Sequence, residues 1–178
     1  MNNLKLVSPT KEHEKQVMEY REEFFKNNET VLHGCAGLEE VNNYDEWIDF
    51  ENRLSQKFGD SYVPSSIYLA IRLSDNKLVG IIDFRHSLTD FLFKYGGSIG
   101  YSVIPSERKK GYAKEMLKLV LEKCKEFGSE KVLLTCDKHN LASAKTIIHN
   151  GGILENEVND DVNLSTSGII QRYWINLI

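Results

Sequence analysis

Arg108-Lys109-Lys110-Gly111-Tyr112-Ala113 is the stretch of this 178-residue chain whose residue types most directly suggest chemistry. It follows a strand-like run closing in Val103-Ile104-Pro105 and opens a long amphipathic run, so it reads as a strand, a basic glycine turn and a helix start. The first N–H groups of a helix lack intrahelical partners, and the helix dipole places positive potential among them. Gly111 lets an anion approach the main chain and three cations stand beside it, which is chemistry suited to a phosphate. On its own, R-x-x-G-x-A also describes a solvated basic loop capping a helix, so its flanks decide.

The elements that must position this turn follow from periodicity. Leu4 and Leu6 mark a short first strand, and Ser8-Pro9-Thr10 offers cap and first-turn residues for a helix carrying Val17, Tyr20 and Phe24 up to Asn27-Asn28. Residues 31–37 are small and glycine-containing and read as a loop of the kind that carries substrate contacts. Trp47, Phe50, Leu54 and Phe58 recur at helical spacing up to Gly59. Ile67–Leu73 and Leu78–Phe84, separated by Ser74-Asp75-Asn76-Lys77, form a hairpin, and Ser98–Val103 a third strand after a polar and aromatic connection at 86–97.

Ala113, Met116, Leu117, Val120, Leu121, Cys124 and Phe127 make an apolar helical stripe that stops at Gly128. Lys131–Asp137 is then a strand, Asn140–Asn150 a short helix stopped by Gly151-Gly152, and Ile153–Val158 and Ile169–Leu177 two last strands. Strand, helix and strand around 98–137 imply a right-handed parallel crossover. The fold class expected is α/β: one mixed, mostly antiparallel sheet flanked by helices, in a single domain spanning 1–178.

Composition narrows the function. With 41% hydrophobic and 27% charged residues and a net charge of -4, the chain lacks the broad cationic excess of a nucleic-acid or membrane-surface binder. No apolar run approaches a membrane span, and the first ten residues lack the apolar core of a signal peptide, so a cytoplasmic location is expected. Cys35, Cys124 and Cys136 have no paired or metal-ligand spacing, so neither a disulfide framework nor a metal site is expected.

In order, V-x-P before Arg108–Ala113, Asn140-Leu141-Ala142-Ser143 and Gly151-Gly152 resemble the GCN5-related N-acetyltransferase superfamily across nearly the whole chain. The N-x-x-S helix is most similar to the branch containing ribosomal-protein N-terminal acetyltransferases, and the fuller pattern to a group of bacterial predicted acetyltransferases. Ala113 stands where many members have glycine, and Gly152 where many have phenylalanine.

The resemblance implies acetyl-CoA as donor and no metal, with the pyrophosphate on the N–H groups of Arg108, Lys109, Lys110, Gly111, Tyr112 and Ala113. It places Tyr101, Ser102 and Val103 along the thioester, where the strand splays from the one ending near Asp137, and Asn140 on the pantetheine amide. A strand N–H would stabilise the oxyanion. The amine must lose a proton before it attacks; His86, with a pKa near working pH, is the first candidate base and Glu23 a weaker one. Ile147 stands where many members have the tyrosine that protonates the leaving thiolate. Ser143 takes that role by resemblance, with Tyr173 as a substitute and Ser143 also among the cofactor contacts. Cys136 raises an acetyl-cysteine route, against the superfamily's usual direct transfer, and Trp47 and Tyr44 could wall the acceptor pocket.

The function expected is transfer of acetyl from acetyl-CoA to a primary amine, either a small molecule or a peptide N-terminus or lysine. The protein would act as a monomer or homodimer, without nucleic-acid or membrane partners. The alternative is a non-catalytic acyl-CoA sensor on the same fold.

Overall fold

The computed structural model describes residues 3–54 and 63–178. Its elements run β1 (Leu4–Val7), α1 (Glu14–Lys26), α2 (Tyr44–Leu54), β2 (Ser65–Arg72), β3 (Leu78–Arg85), β4 (Ile99–Val103), α3 (Tyr112–Glu126), β5 (Lys131–Asp137), α4 (Leu141–His149), β6 (Ile153–Asn159) and β7 (Ile169–Asn176). Thr10 caps the entrance to α1: its N–H and hydroxyl both meet His13 Nδ1, at 3.0 and 2.9 Å, through one 3-10 turn. Of the second expected helix, Phe58 and Gly59 lie outside the described residues.

The strands of the mixed, mostly antiparallel sheet expected from sequence fall into two antiparallel sheets, ordered β1-β2-β3-β4 and β5-β7-β6. Among the described residues β4 and β5 are joined by hydrogen bonds where Ser98 N–H donates to Leu133 O at 2.6 Å and Leu133 N–H donates to Ser98 Oγ at 3.1 Å. Three residues further along each strand, Tyr101 and Cys136 both reach Ser143 of α4, so β4 and β5 run in the same direction. Past Ser98 they share no backbone hydrogen bond among the described residues. The 86–97 connection folds as a π-helical turn at Leu92–Gly96 and closes this end: Thr135 Oγ1 donates to Tyr95 O, and Arg85 Nη1 donates to Gly96 O and Gly97 O.

Strand alternation sorts the side chains onto two cores. Val79, Ile82, Phe84, Ile99, Leu134, Cys136 and Tyr173 pack with Met116, Leu117 and Val120 of α3 and Ile147 of α4. Ile67, Leu69, Ile71 and Ile81 pack on the other face with Val17, Tyr20 and Phe24 of α1 and Trp47 of α2. The α1 stripe and Met116 to Cys124 of the α3 stripe are buried faces, as apolar burial requires, whereas Phe127 at the end of the α3 stripe is exposed.

The loop at 33–38 lies flat on β4. Gly34 has φ +74°, and a Cβ there would stand 2.4 Å from Gly100 O and 2.6 Å from Tyr101 N. Only glycine satisfies both the left-handed backbone and the contact. Gly34→Ala is therefore expected to cost roughly 1–3 kcal/mol from backbone conformation alone, with the steric clash added. Urea unfolding should show a lower midpoint at unchanged slope; an unchanged midpoint would contradict the packing described.

Candidate active site

The backbone of β4 presents an unpaired edge in the middle of the molecule. Arg85 N–H donates to Ser98 O at one end of the β3–β4 ladder and Ile104 N–H donates to Val79 O at the other. With Asp83 opposite Gly100 and Ile81 opposite Ser102, antiparallel alternation turns the carbonyl of Ser98 and the backbone groups of Gly100, Ser102 and Ile104 toward β3. Those of Tyr101 and Val103 face the gap to β5. Buried main-chain groups in native proteins are almost always paired, so an edge exposed to an internal gap marks where an extended ligand can bind.

The edge runs directly into the basic turn. Lys109 and Gly111 have φ +63° and +87°, and Gly111 is the N-cap of α3. The N–H groups of Lys109, Lys110, Gly111, Tyr112 and Ala113 donate to no group among the described residues. A Cβ at Gly111 would meet nothing within 4 Å, so the space above the turn is open. This is a concave row of N–H groups at a helix N-terminus, suited to a phosphate.

The cations beside it are mostly engaged elsewhere. Arg108 holds both carboxylate oxygens of Glu29, at 2.7 and 2.8 Å, and donates from Nε to Val103 O. Lys110 joins Lys77 and Arg72 around the buried Glu107, whose carboxyl these hydrogen bonds pull down to about 2. Tyr112 accepts from Arg72 Nη1 and packs against the core. Lys109 alone among the three basic residues makes no ion pair with the described residues.

On the α4 face of β4, Tyr101 Oη and Ser143 Oγ are 2.9 Å apart, and Thr146 and the Cys136 thiol adjoin them. Burial pushes the Tyr101 phenol up to about 12 and the Cys136 thiol up to about 11, against an opposing hydrogen bond from Ser143 in each case. Asn140 caps α4, its Oδ1 accepting from Ser143 N–H at 3.1 Å, which leaves its NH₂ free at the mouth of the gap. Ile147 is fully buried, and a Cβ at Gly152 would stand 2.4 Å from its Cγ2. The position that many relatives give to tyrosine points into the core here.

On the opposite face the chemistry is acidic. The Ser102 hydroxyl is held by Tyr20 Oη at 3.0 Å and Cys35 Sγ at 3.3 Å, so Ser102 offers the gap no side chain. Asp83 is 6% exposed; its Oδ1 accepts from Gly100 N–H at 2.7 Å and its Oδ2 pairs with Arg85 at 3.2 Å. Glu51 of α2 is 9% exposed, and its Oε1 has no hydrogen-bond partner among the described residues. Burial first and the Asp83 charge second raise its carboxyl to about 7. In Glu39 one oxygen accepts from Leu32 N–H, and Oε2 has no hydrogen-bond partner among the described residues. Among the described residues no group of three could hold a metal ion.

Several residues singled out from sequence stand elsewhere. Ile82 lies opposite Tyr101, and His86 follows four residues later along β3, roughly 13 Å away. Its ring stacks on Phe127 with centroids 4.4 Å apart and its Nε2 meets Ser66 Oγ, on the α3 face at the closed end of the gap. Burial lowers its pKa. Tyr173 lies on β7, beyond β5, and spends its hydroxyl on Gln171. Glu23 accepts from Ser106 N–H and braces the turn after β4. Trp47 and Tyr44 are core: the Trp47 indole donates to Cys35 O, and the Tyr44 hydroxyl to Thr10 O. Sequence reasoning passed over Glu51, Asp83 and the Tyr101 hydroxyl. Asp83 carried a signal, as the lone charge inside an apolar strand.

A carboxyl raised from 4.5 to about 7 binds its proton more tightly folded than unfolded, so stability falls as pH rises through that window. Glu51→Gln removes the dependence. Its unfolding free energy relative to the parent should therefore grow by roughly 2–3 kcal/mol between pH 4 and pH 8, measured by urea unfolding at each pH. A constant difference would place Glu51 in contact with water.

Residues 3–153 match the family model described as an acetyltransferase (GNAT) domain. No curated protein matches by sequence. Among solved structures, the chain is similar to RimL, a ribosomal α-N-protein acetyltransferase in complex with coenzyme A, at 18% identity, 99% coverage of this chain and 95% of that one, and a TM-score of 0.71. It is likewise similar to the microcin C7 self-immunity acetyltransferase MccE in complex with acetyl-CoA and AMP (16%, 99% and 93%, 0.70). A variant of the spermidine N-acetyltransferase SpeG from Vibrio cholerae superposes at 0.68 (13%, 98% and 95%). The α/β architecture, the splayed strands and the family match agree: this chain belongs to the acetyltransferase (GNAT) domain family.

Proposed function

We propose that this acetyltransferase moves the acetyl group of acetyl-CoA directly to a primary amine while both substrates are bound. The observation that carries the reading is the continuity of the edge formed by Tyr101 N–H, Tyr101 C=O and Val103 N–H, unpaired among the described residues, with the row of N–H groups from Lys109 to Ala113. A pantetheine arm is an extended chain with two amides and fits such an edge as an added strand would. Its pyrophosphate then falls on the helix N-terminus. The functions of the similar structures, which include a ribosomal-protein α-amine and spermidine as acceptors, support an amine here.

In this arrangement Tyr101 N–H faces the thioester carbonyl and stabilises the oxyanion, while Tyr101 C=O and Val103 N–H hold the arm. The amine nitrogen forms the new C–N bond, the C–S bond breaks, and the departing sulfur takes a proton. The Tyr101–Ser143 hydroxyl pair is the donor at hand, with a phenol that stays protonated at neutral pH. A Cys136 thiol near 11 is ionised in only about one molecule in ten thousand at pH 7, which favours direct transfer over an acetyl-cysteine. Residues 1–178 are read as one domain because β7 lies between β5 and β6. Among the described residues no helix is long and apolar enough to cross a membrane. Three free, buried cysteines suit a cytoplasmic location.

Incubation with acetyl-CoA and a panel of amines, with free thiol as readout, tests the reading; tight binding without thiol release for any acceptor would favour an acyl-CoA sensor. Tyr101→Phe and Ser143→Ala are each expected to lower kcat about 10- to 100-fold with acetyl-CoA affinity unchanged, and unaltered turnover in both would remove the donor pair. For the phosphate seat, calorimetric titration should show Lys109→Ala weakening CoA binding about tenfold at most. Gly111→Val, which closes the approach and strains a left-handed backbone, should weaken it more than 100-fold; equal affinities would contradict backbone capture.

A further inference from the structure

We propose that Glu29 is a positioning residue for the donor: by holding Arg108 on Val103 O it ends the pairing edge of β4 at Val103 N–H, and so gives an extended ligand a single register. This rests on the acetyltransferase reading and deepens it, since the ligand concerned is the acyl-pantetheine arm of acetyl-CoA.

The placement of Glu29 starts with the end of α1. Asn28 takes a left-handed backbone, φ +59°, and the N–H groups of Asn28 and Glu29 donate back to Phe25 O and Phe24 O, both at 3.0 Å. This is a Schellman turn, which sets Glu29 at a defined point past the helix. Its two oxygens accept from Nη1 and Nη2 of Arg108 at 2.7 and 2.8 Å, a bidentate pairing that fixes the direction of the guanidinium as well as its distance. Phe24 adds a second hold, because Arg108 Cζ lies over its ring, 5.2 Å from the centroid.

With both Nη groups on Glu29, Nε is left to donate, and it donates to Val103 O at 3.0 Å. Val103 lies opposite Gly80 and shares the gap-facing side of β4 with Tyr101, so this carbonyl belongs to the edge that a ligand would pair with. A half-exposed ion pair adds little to folding stability. What this one fixes is which edge groups remain available.

Register follows from that. Strand pairing repeats every two residues, about 7 Å. A ligand slipped by one repeat toward α3 would need Val103 O and then the N–H of residue 105. Arg108 occupies the first, and residue 105 is proline, which has no N–H. Slippage the other way carries the ligand toward the Ser98–Leu133 junction, where the gap closes. Tyr101 N–H, Tyr101 C=O and Val103 N–H remain, and they accept one placement, with the thioester at Tyr101 beside the Tyr101–Ser143 hydroxyl pair. The phosphate seat does not enforce this alone, because the arm between phosphate and sulfur has many rotatable single bonds and can bow. Pro105 does not enforce it either, since it leaves Val103 O open. Glu29, acting through Arg108, closes that carbonyl.

The test uses the full chain, the best acceptor from a panel of primary amines at saturation, and free thiol as readout. Two donors are compared: acetyl-CoA, and acetyl-pantetheine, which lacks the phosphates. Opening the stop adds a bound state whose thioester is out of reach of the amine, and such a state lowers kcat and donor KM by the same factor while kcat/KM stays constant. Glu29→Ala should therefore lower both constants about fivefold with acetyl-CoA, the worth of roughly one hydrogen bond. With acetyl-pantetheine, which no phosphate seat helps to place, the fall should be roughly tenfold or more; where that donor is too slow to measure, acetyl-CoA decides alone. Glu29→Gln keeps an oxygen for Arg108 and should stay within about twofold of wild type. A fall in kcat/KM, as a merely structural role predicts, or a change in KM alone as Arg108 turns to the phosphates, overturns the proposal. Wild-type kcat and KM in Glu29→Ala overturn it too, and each of these results leaves the transferase standing. Wild-type protein that turns over neither donor with any amine defeats the transferase reading, and the positioning role falls with it.

Discussion

The parting of β4 from β5 after the Ser98–Leu133 contact is the constraint on which the rest of this molecule depends. A continuous sheet would pair the backbone of Tyr101 and Val103 with β5 and leave no place for an extended ligand. Separation leaves the backbone groups of Tyr101 and the N–H of Val103 without a partner among the described residues, a cost that other features offset. The π-helical turn at Leu92–Gly96 ties down the closed end through Thr135 and Arg85. The second sheet is completed by β7, which lies between β5 and β6, in unbroken register with β5 and with one irregularity against β6 between Leu154 and Asn156.

Charge is arranged around that gap in a way that net charge hides. The basic turn looks like the anion site, yet Arg108 belongs to Glu29 and Lys110 to Glu107. Their ion pairs brace the turn, and the binding potential lies in main-chain N–H groups aligned by the left-handed residues Lys109 and Gly111. Backbone donors fixed in this way need no reorganisation when an anion arrives. Arg108 also closes Val103 O, which ties the strand end to the turn it feeds.

The two faces of β4 differ because its side chains alternate. Tyr101 turns toward α4 and finds Ser143, whereas Gly100 and Ser102 turn toward the 33–38 loop, Asp83 and α2. A shift of one residue in the β3–β4 register would exchange these environments and place the phenol against Cys35. The register is held by Gly100 N–H on Asp83 and by Gly34, which leaves no room for any other residue against the strand.

Residue order alone determined the elements and the glycine turn that opens α3. Both depend on local physics: helical stripes such as Met116 to Cys124, turn residues at 74–77, and a glycine at a helix start after V-x-P. It also marked Asn140 and Ser143 at a helix start facing the gap, because capping is set by neighbours in sequence. What it left open depended on groups far apart in the chain. His86 is a plausible base by type and pKa, and only the fold shows it stacked on Phe127 at the far end of the gap. Glu51 looked like one more solvated acid on a helix, since nothing local announces that α2 turns it inward near Asp83, 32 residues away along the chain. The tertiary structure decided which hydroxyl meets Ser143, which cations are already neutralised and which carboxyl is buried without a partner. Desolvation and long-range pairing set all three, and both are properties of packed space rather than of residue order.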